Sequence, residues 1–204
     1  MKDDAFYRLG LRVLGKLPAT PQGLGRVVVV TSARDGEGKT FVARALAQAL
    51  AAQCTGPVAL VSCQADPKAA ASLGWSDLVD TGSWQADMAR NTAGQGGDNA
   101  PAQISAGSKA RAETLFKPDA VAAALHVLRE RYSMVVLDAP SLSACGALTR
   151  QADGSLLVVN AKDTRREVVQ GALAANPMPP ERLLGTVLNQ RPDYVPGWLY
   201  RWML

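Results

Sequence analysis

Residues 26–50 read RVVVVTSARDGEGKTFVARALAQAL: an apolar β-branched run, a glycine-rich turn closing on Gly-Lys-Thr, then an amphipathic helical pattern. Strand, turn and helix in that order, with those residues at the turn, form a phosphate-binding loop in its required setting. Val27–Val30 suits a strand covered on both faces. Gly36 and Gly38 let backbone N–H groups turn inward without a Cβ clash. The helix N-terminus behind them completes a site for a β-phosphate. Lys39 is placed to reach the β- and γ-phosphates, and the Thr40 hydroxyl to sit on Mg²⁺. The expected contact set for ATP or ADP is therefore Asp35, Gly36, Glu37, Gly38, Lys39, Thr40 and Phe41. Ala33 replaces the first Gly of the general pattern with another small residue.

The rest of the chain alternates between strand and helix patterns. Asp3–Lys16 reads as a helix with Asp4, Arg8 and Arg12 on one face and Phe6, Leu9, Val13 and Leu17 on another. Pro18 to Gly23 breaks that pattern as a linker. Strands are expected at Val27–Thr31, Val58–Ser62, Met134–Asp138, Ser155–Asn160 and Leu184–Asn189. Helices are expected from about Lys39 to Gln53 and from Pro118 to Arg131, the second with proline in its first turn. Residues 91–112, rich in Gly, Ala, Ser and Asn, read mostly as a surface loop with a short strand at Gln103–Ser105. Strands separated by helices predict an α/β fold of the P-loop NTPase kind: a mainly parallel sheet, helices on both faces, ligand at the carboxyl ends of the strands. The expected division is an N-terminal helix and linker (1–22), a nucleotide-binding domain (23–190) and an aromatic tail (191–204).

Composition narrows the function classes. With 204 residues, 48% hydrophobic and 20% charged, the chain fits one globular domain. A net charge of +4 is too mild to indicate a nucleic-acid partner. No stretch is long enough to span a bilayer and no secretory pattern is present, so the expected compartment is the cytoplasm. Cys54, Cys63 and Cys145 have no metal-ligand spacing and read as free thiols. His126, the single histidine, has no second His or Cys to share a metal and reads as structural or solvated.

A second chemical element is Val135-Val136-Leu137-Asp138-Ala139-Pro140, an apolar strand ending in an acid. Downstream of a phosphate-binding loop, this is the Walker B arrangement. Asp138 is expected to hold Mg²⁺ through a water, so Thr40 and Asp138 form the metal set, and Lys39 and Asp138 the catalytic set.

These residues resemble the cytoplasmic domain of bacterial tyrosine kinases, P-loop regulators of capsule and exopolysaccharide synthesis, over nearly the whole chain. Ser32 to Thr40 looks like that family's Walker A, and Arg129 to Pro140 like its Walker B. Gly74-Trp-Ser-Asp-Leu78 is similar to its Gly-Leu-Ser-Asp turn, and Ile104-Ser-Ala-Gly107 to its strand ending in Ala-Gly. Ala152 to Val159 and Leu184 to Asn189 match its last core strands. The resemblance implies an ATP-dependent autokinase working with a membrane polysaccharide co-polymerase, or chain-length regulator, at the inner face of the cell membrane. It implies adenine contact by Asn189, the residue ending the last strand. It also implies homo-oligomers: Asp4, Arg8 and Arg12 are similar to the family's ring-forming Glu-Arg-Arg helix, with spacing one residue longer at each step.

The departures bear on chemistry. The family's second strand ends in Asp-x-Asp, the Walker A′ element, whose first Asp helps activate the substrate tyrosine. Ser62 and Gln64 stand at those two positions, and neither accepts a proton at neutral pH. Losing a general base costs ~10²–10⁴ in rate. Asp66, just before Pro67, reads as a turn residue. The tail carries Tyr194 and Tyr200 rather than a tyrosine run, and its Trp and Leu residues suit a partner, a membrane interface or the chain's own domain. Three readings stay open: a tyrosine kinase weakened in its base, a pseudokinase adaptor, and a partition- or placement-type ATPase. In the third, Arg34 stands where those ATPases carry a second lysine.

Overall fold

The computed structural model describes residues 2–20, 23–64, 74–82, 99–107 and 116–190. Uninterrupted apolar strands such as Val27–Val30 are stable only where both faces of a sheet are covered, and the sheet is built that way. Its strands are β1 (Arg26–Ser32), β2 (Val58–Ser62), β3 (Ala102–Ile104), β4 (Met134–Asp138), β5 (Gly154–Asn160) and β6 (Leu183–Asn189). They lie in the order β3-β2-β4-β1-β5-β6, and every pairing is parallel. The helices are α1 (Lys2–Lys16), α2 (Lys39–Ala51), α3 (Trp75–Thr81), α4 (Pro118–Arg131), α5 (Gly146–Gln151) and α6 (Arg166–Ala175), with a 3₁₀ turn at Pro180–Arg182.

Strand periodicity sorts the core into two layers. Val28, Val30, Leu60, Val136 and Val158 face α1 and α2, packing on Val13, Val42, Leu46 and Leu50. Val27, Val29, Val61, Leu137 and Leu157 face the other side, packing on Trp75, Leu78, Val121, Leu125, Leu128 and Leu148. The expected parallel sheet with helices on both faces is what the chain forms. Among the described residues no helix is long and apolar enough to cross a membrane.

The amino-terminal edge of the sheet is closed by a polar clamp. Asp153 accepts from the Val27 amide (2.6 Å) and from Arg129 Nη1 (2.7 Å), and Arg129 also donates to the carbonyls of Gly25 and Gln151. Gly25 has no alternative there: an added Cβ would lie 1.7 Å from the Tyr132 carbonyl oxygen. A cleft of about 460 Å³ opens beside this clamp, at the far end of the sheet from the phosphate-binding loop.

Several expectations are corrected. Helix α2 ends at Ala51 rather than Gln53, because Gln53 N–H turns to the Leu50 carbonyl (3.0 Å). The short strand starts at Ala102, not Gln103, since pairing with Ala59–Val61 sends Ala102 and Ile104 inward and Gln103 out. Residues 99–107 are thus part of the fold rather than surface loop. Gly74-Trp-Ser-Asp opens a helix, with the Trp75 ring fully buried and the Asp77 carboxylate accepting the Gly74 amide (2.9 Å). Helices α5 and α6 were not expected, although α6 is as amphipathic as α1. Asp66, most of the 91–112 stretch, and the tail with Tyr194 and Tyr200 lie outside the described residues.

Candidate nucleotide-binding site

Strand β1 delivers the chain to the carboxyl edge of the sheet, and the loop 33–38 must reverse it into α2. Gly36 (φ 84°) and Gly38 (φ 85°) take the left-handed conformation that makes this possible. Gly38 is the N-cap of α2, and no side chain caps the helix there. The first backbone bond into the helix is Val42 N–H to the Gly38 carbonyl (3.1 Å), so the amides of Lys39, Thr40 and Phe41 precede it. Amides at that position, with the helix dipole behind them, are suited to an anion.

The loop is held rigid from beneath by Glu37. This carboxylate is buried and accepts from the Thr164 hydroxyl (2.6 Å), the Arg34 amide (2.9 Å) and the Asn160 amide (3.4 Å). The carbonyl of Glu37 accepts from Asn189 Nδ2 (2.9 Å). Glu37 therefore ties the loop to the ends of β5 and β6, a role its sequence position did not suggest. Asn160 and Thr164 were missed altogether; the available signal was a polar residue ending an otherwise apolar β5 beside the loop. Asn189 sits against the loop at the edge expected for base contact, with its amide engaged by the backbone.

The charged groups converge on the same edge. Lys39 is buried, and its ammonium donates to Asp35 Oδ1 (2.9 Å), whose side chain is 80% exposed. That hydrogen bond and the Lys39 charge hold the Asp35 carboxyl below its usual range. Asp138 ends β4 with its carboxylate buried. Burial pushes its pKa up, against the pull of a hydrogen bond from Thr40, the charges of Lys39 and Arg44, and a hydrogen bond from Gln64. Lys39, Thr40 and Asp138 are thus brought together as the motifs implied. The Phe41 ring is 53% exposed and stands edge-on to Phe6 of α1 (5.6 Å, 79°), and its amide is among those preceding the first helical bond of α2. Arg34 is exposed on the loop.

The strand end beside Asp138 carries no acid. Ser62 pairs in register with Asp138. Gln64 Nε2 lies 3.4 Å from Asp138 Oδ1 and 3.4 Å from the Ala139 carbonyl. Both neighbours are acceptors, so the amide must present its N–H₂ to them. Cys63 between them offers no base, since burial and the nearby Asp138 charge push its thiol well above the ordinary value. Cys54 and Cys145 are also free thiols, and His126 is exposed beside Glu130 (3.3 Å). Thr40 and Asp138 fit a hydrated Mg²⁺ shared with phosphate oxygens. Among the described residues no cluster of three or more His, Cys, Asp or Glu could cage an ion by itself.

Comparison with known proteins places the fold. The chain is similar to the kinase domain of the Escherichia coli tyrosine kinase ETK, with TM-score 0.69 and 19% identity over 93% of this chain and 74% of that one. The VpsO kinase domain gives TM-score 0.68 and 24% identity over 94% of this chain and 97% of that one. A ParA family ATPase from Chlorobium tepidum gives TM-score 0.59 and 17% identity over 83% and 75%. The fold is that of the bacterial tyrosine-kinase domains among P-loop proteins. No family model matches the chain, and no curated protein matches it.

Proposed function

We propose that this chain is a cytoplasmic ATP-binding protein of the bacterial tyrosine-kinase type, acting in the regulation of exopolysaccharide or capsule synthesis with its phosphoryl transfer weakened. One observation carries the reading: a fully braced phosphate-binding loop, with Lys39, Thr40 and Asp138 assembled, stands beside a strand end that has Ser62 and Gln64 and no acid. In the transfer, a tyrosine oxygen would bond the γ-phosphorus as the bond to the β–γ bridging oxygen breaks, releasing ADP. Lys39 and the loop amides would offset the charge on the γ-phosphoryl oxygens. Mg²⁺, when bound, would neutralise charge on the β- and γ-phosphates. The phenolic proton has no carboxylate acceptor at 62 or 64. That deficit costs about 3–5 kcal/mol of barrier.

The same deficit favours a second reading, an adaptor that binds nucleotide and docks on a membrane polysaccharide co-polymerase without transferring phosphate. Recruitment to the inner face of the membrane would then come from that partner. A partition-type ATPase, with Arg34 reaching a second subunit's phosphate, is the third reading.

Calorimetric titration of ATP and ADP into wild type and Lys39→Ala is the first test. Binding in the wild type, abolished in the variant, supports the proposal, and no binding removes the kinase and ATPase readings together. Phosphotyrosine assays with a co-polymerase then separate the first two readings. Restoring aspartate at 62 and 64 should raise transfer if the fold is a kinase weakened in its base. ATP-dependent dimers lost in Arg34→Ala, without phosphotyrosine, would instead favour the third reading.

A further inference from the structure

The metal side of the site is unusually rich in donors. Mg²⁺ accepts only oxygen ligands and is repelled by positive charge. Among the described residues Asp138 is the carboxylate beside Thr40, and Gln64 points an N–H₂ at Oδ1 of that group (3.4 Å) and at the Ala139 carbonyl (3.4 Å). An oxygen accepting that N–H is partly withdrawn from a metal's water shell. Arg44 lies one turn beyond Thr40 on α2, exposed, and its positive charge acts on Asp138 together with that of Lys39. Ser62, opposite Asp138 on β2, adds a hydroxyl and no charge.

We propose that this loop binds its nucleoside di- or triphosphate with only weak dependence on Mg²⁺, because Gln64 and Arg44 already supply the hydrogen-bond donation and positive charge at Asp138 that a hydrated metal ion brings. Gln64 is a positioning residue here. It acts through Asp138, and the charge of Arg44 acts on the same carboxylate. The inference rests on the nucleotide-binding reading above and specifies how that site is charged.

The test measures affinity, not turnover. ATP and ADP are titrated calorimetrically into the full chain, once with Mg²⁺ and once with EDTA. For the wild type the two dissociation constants should agree within about threefold. Gln64→Asp replaces a donor by an acceptor, and Mg²⁺ should then tighten binding about tenfold or more. Gln64→Ala removes the donor without adding a buried charge, and the ratio should rise in the same direction, which guards against a folding defect in the first variant. Arg44→Ala, on an exposed helix face, should weaken binding about threefold in EDTA and less in Mg²⁺. A wild-type ratio above about tenfold overturns the inference while leaving the nucleotide site intact. So does a ratio unchanged in both Gln64 variants. Absence of binding in both buffers overturns the nucleotide-binding reading and this inference with it.

Discussion

Gly38→Ala tests the geometry of the loop most directly. At φ 85° an alanine pays the left-handed penalty, ~1–2 kcal/mol. The structure adds a second cost. The new Cβ would lie 2.1 Å from Asn189 Nδ2, the atom that donates to the Glu37 carbonyl at 2.9 Å. Asn189 must swing away, and the lost hydrogen bond costs about 0.5–1.5 kcal/mol. The total is about 1.5–3.5 kcal/mol of stability. Because the second cost passes through one side chain, it is separable. In an Asn189→Ala background no amide remains to be displaced, so Gly38→Ala should cost only ~1–2 kcal/mol there. Urea unfolding of the wild type, both single variants and the double variant closes the cycle, with an expected coupling of about 1 kcal/mol. If Gly38→Ala costs the same in both backgrounds, the Cβ and the Asn189 amide do not compete and the proposed brace is wrong.

Three further outcomes follow from other groups. Asp35 occupies the ammonium that a phosphate would use, so Asp35→Asn should tighten ATP up to about fivefold, the range of an exposed ion pair; weaker binding in the variant would show that Asp35 serves the ligand. Burial raises the folded-state pKa of Asp138 above 3.8, so the folded chain holds more protons than the unfolded one between those values and loses stability as pH rises through that window. Asp138→Asn should therefore raise the melting temperature at pH 7, with the gain shrinking toward pH 3.8, and a lower melting temperature at pH 7 would refute the burial argument. Arg129→Ala strands the half-buried Asp153 carboxylate and should cost about 3 kcal/mol in urea unfolding with nucleotide affinity unchanged, since the clamp lies at the opposite edge of the sheet; a loss of affinity without a loss of stability would contradict that placement.

The catalytic edge was legible where one residue type can do the job. Gly36 and Gly38 are needed because the turn demands positive φ, and Lys39, Thr40 and Asp138 because strand, turn and helix bring them together. What stayed hidden depends on contacts far apart in sequence. Glu37 reads as an ordinary loop acid, and its burial under Thr164 and Asn160 exists only once β5 lies beside β1. Gln64 reads as a missing base, whereas in space it is a donor to Asp138. Helix α6 buries none of its residues fully and sets Val169, Ala172 and Leu173 against the core, so its amphipathic pattern was legible in the sequence and was passed over because the segment is short. Phe41, expected beside the ligand from its place next to Thr40, also packs its ring edge-on against Phe6, a contact the sequence did not suggest.

The cost of the loop argues that its shape is kept for a ligand. A lysine buried to 5% exposure and an aspartate buried to the same degree oppose folding, and Gly36 and Gly38 give up more chain entropy than other residues would. Three hydrogen bonds on the Glu37 carboxylate, and one on its carbonyl, hold that arrangement in place. A surface used only for docking needs none of this: a neutral side chain at 39 or 138 would relieve the burial of charge. The end of β2 carries Ser62 and Gln64, while the loop and Asp138 carry every one of these costly elements. Under the reading proposed above, that asymmetry favours a protein that reads nucleotide over one that keeps only the fold, and titration of ATP into the wild type and Lys39→Ala decides between the two.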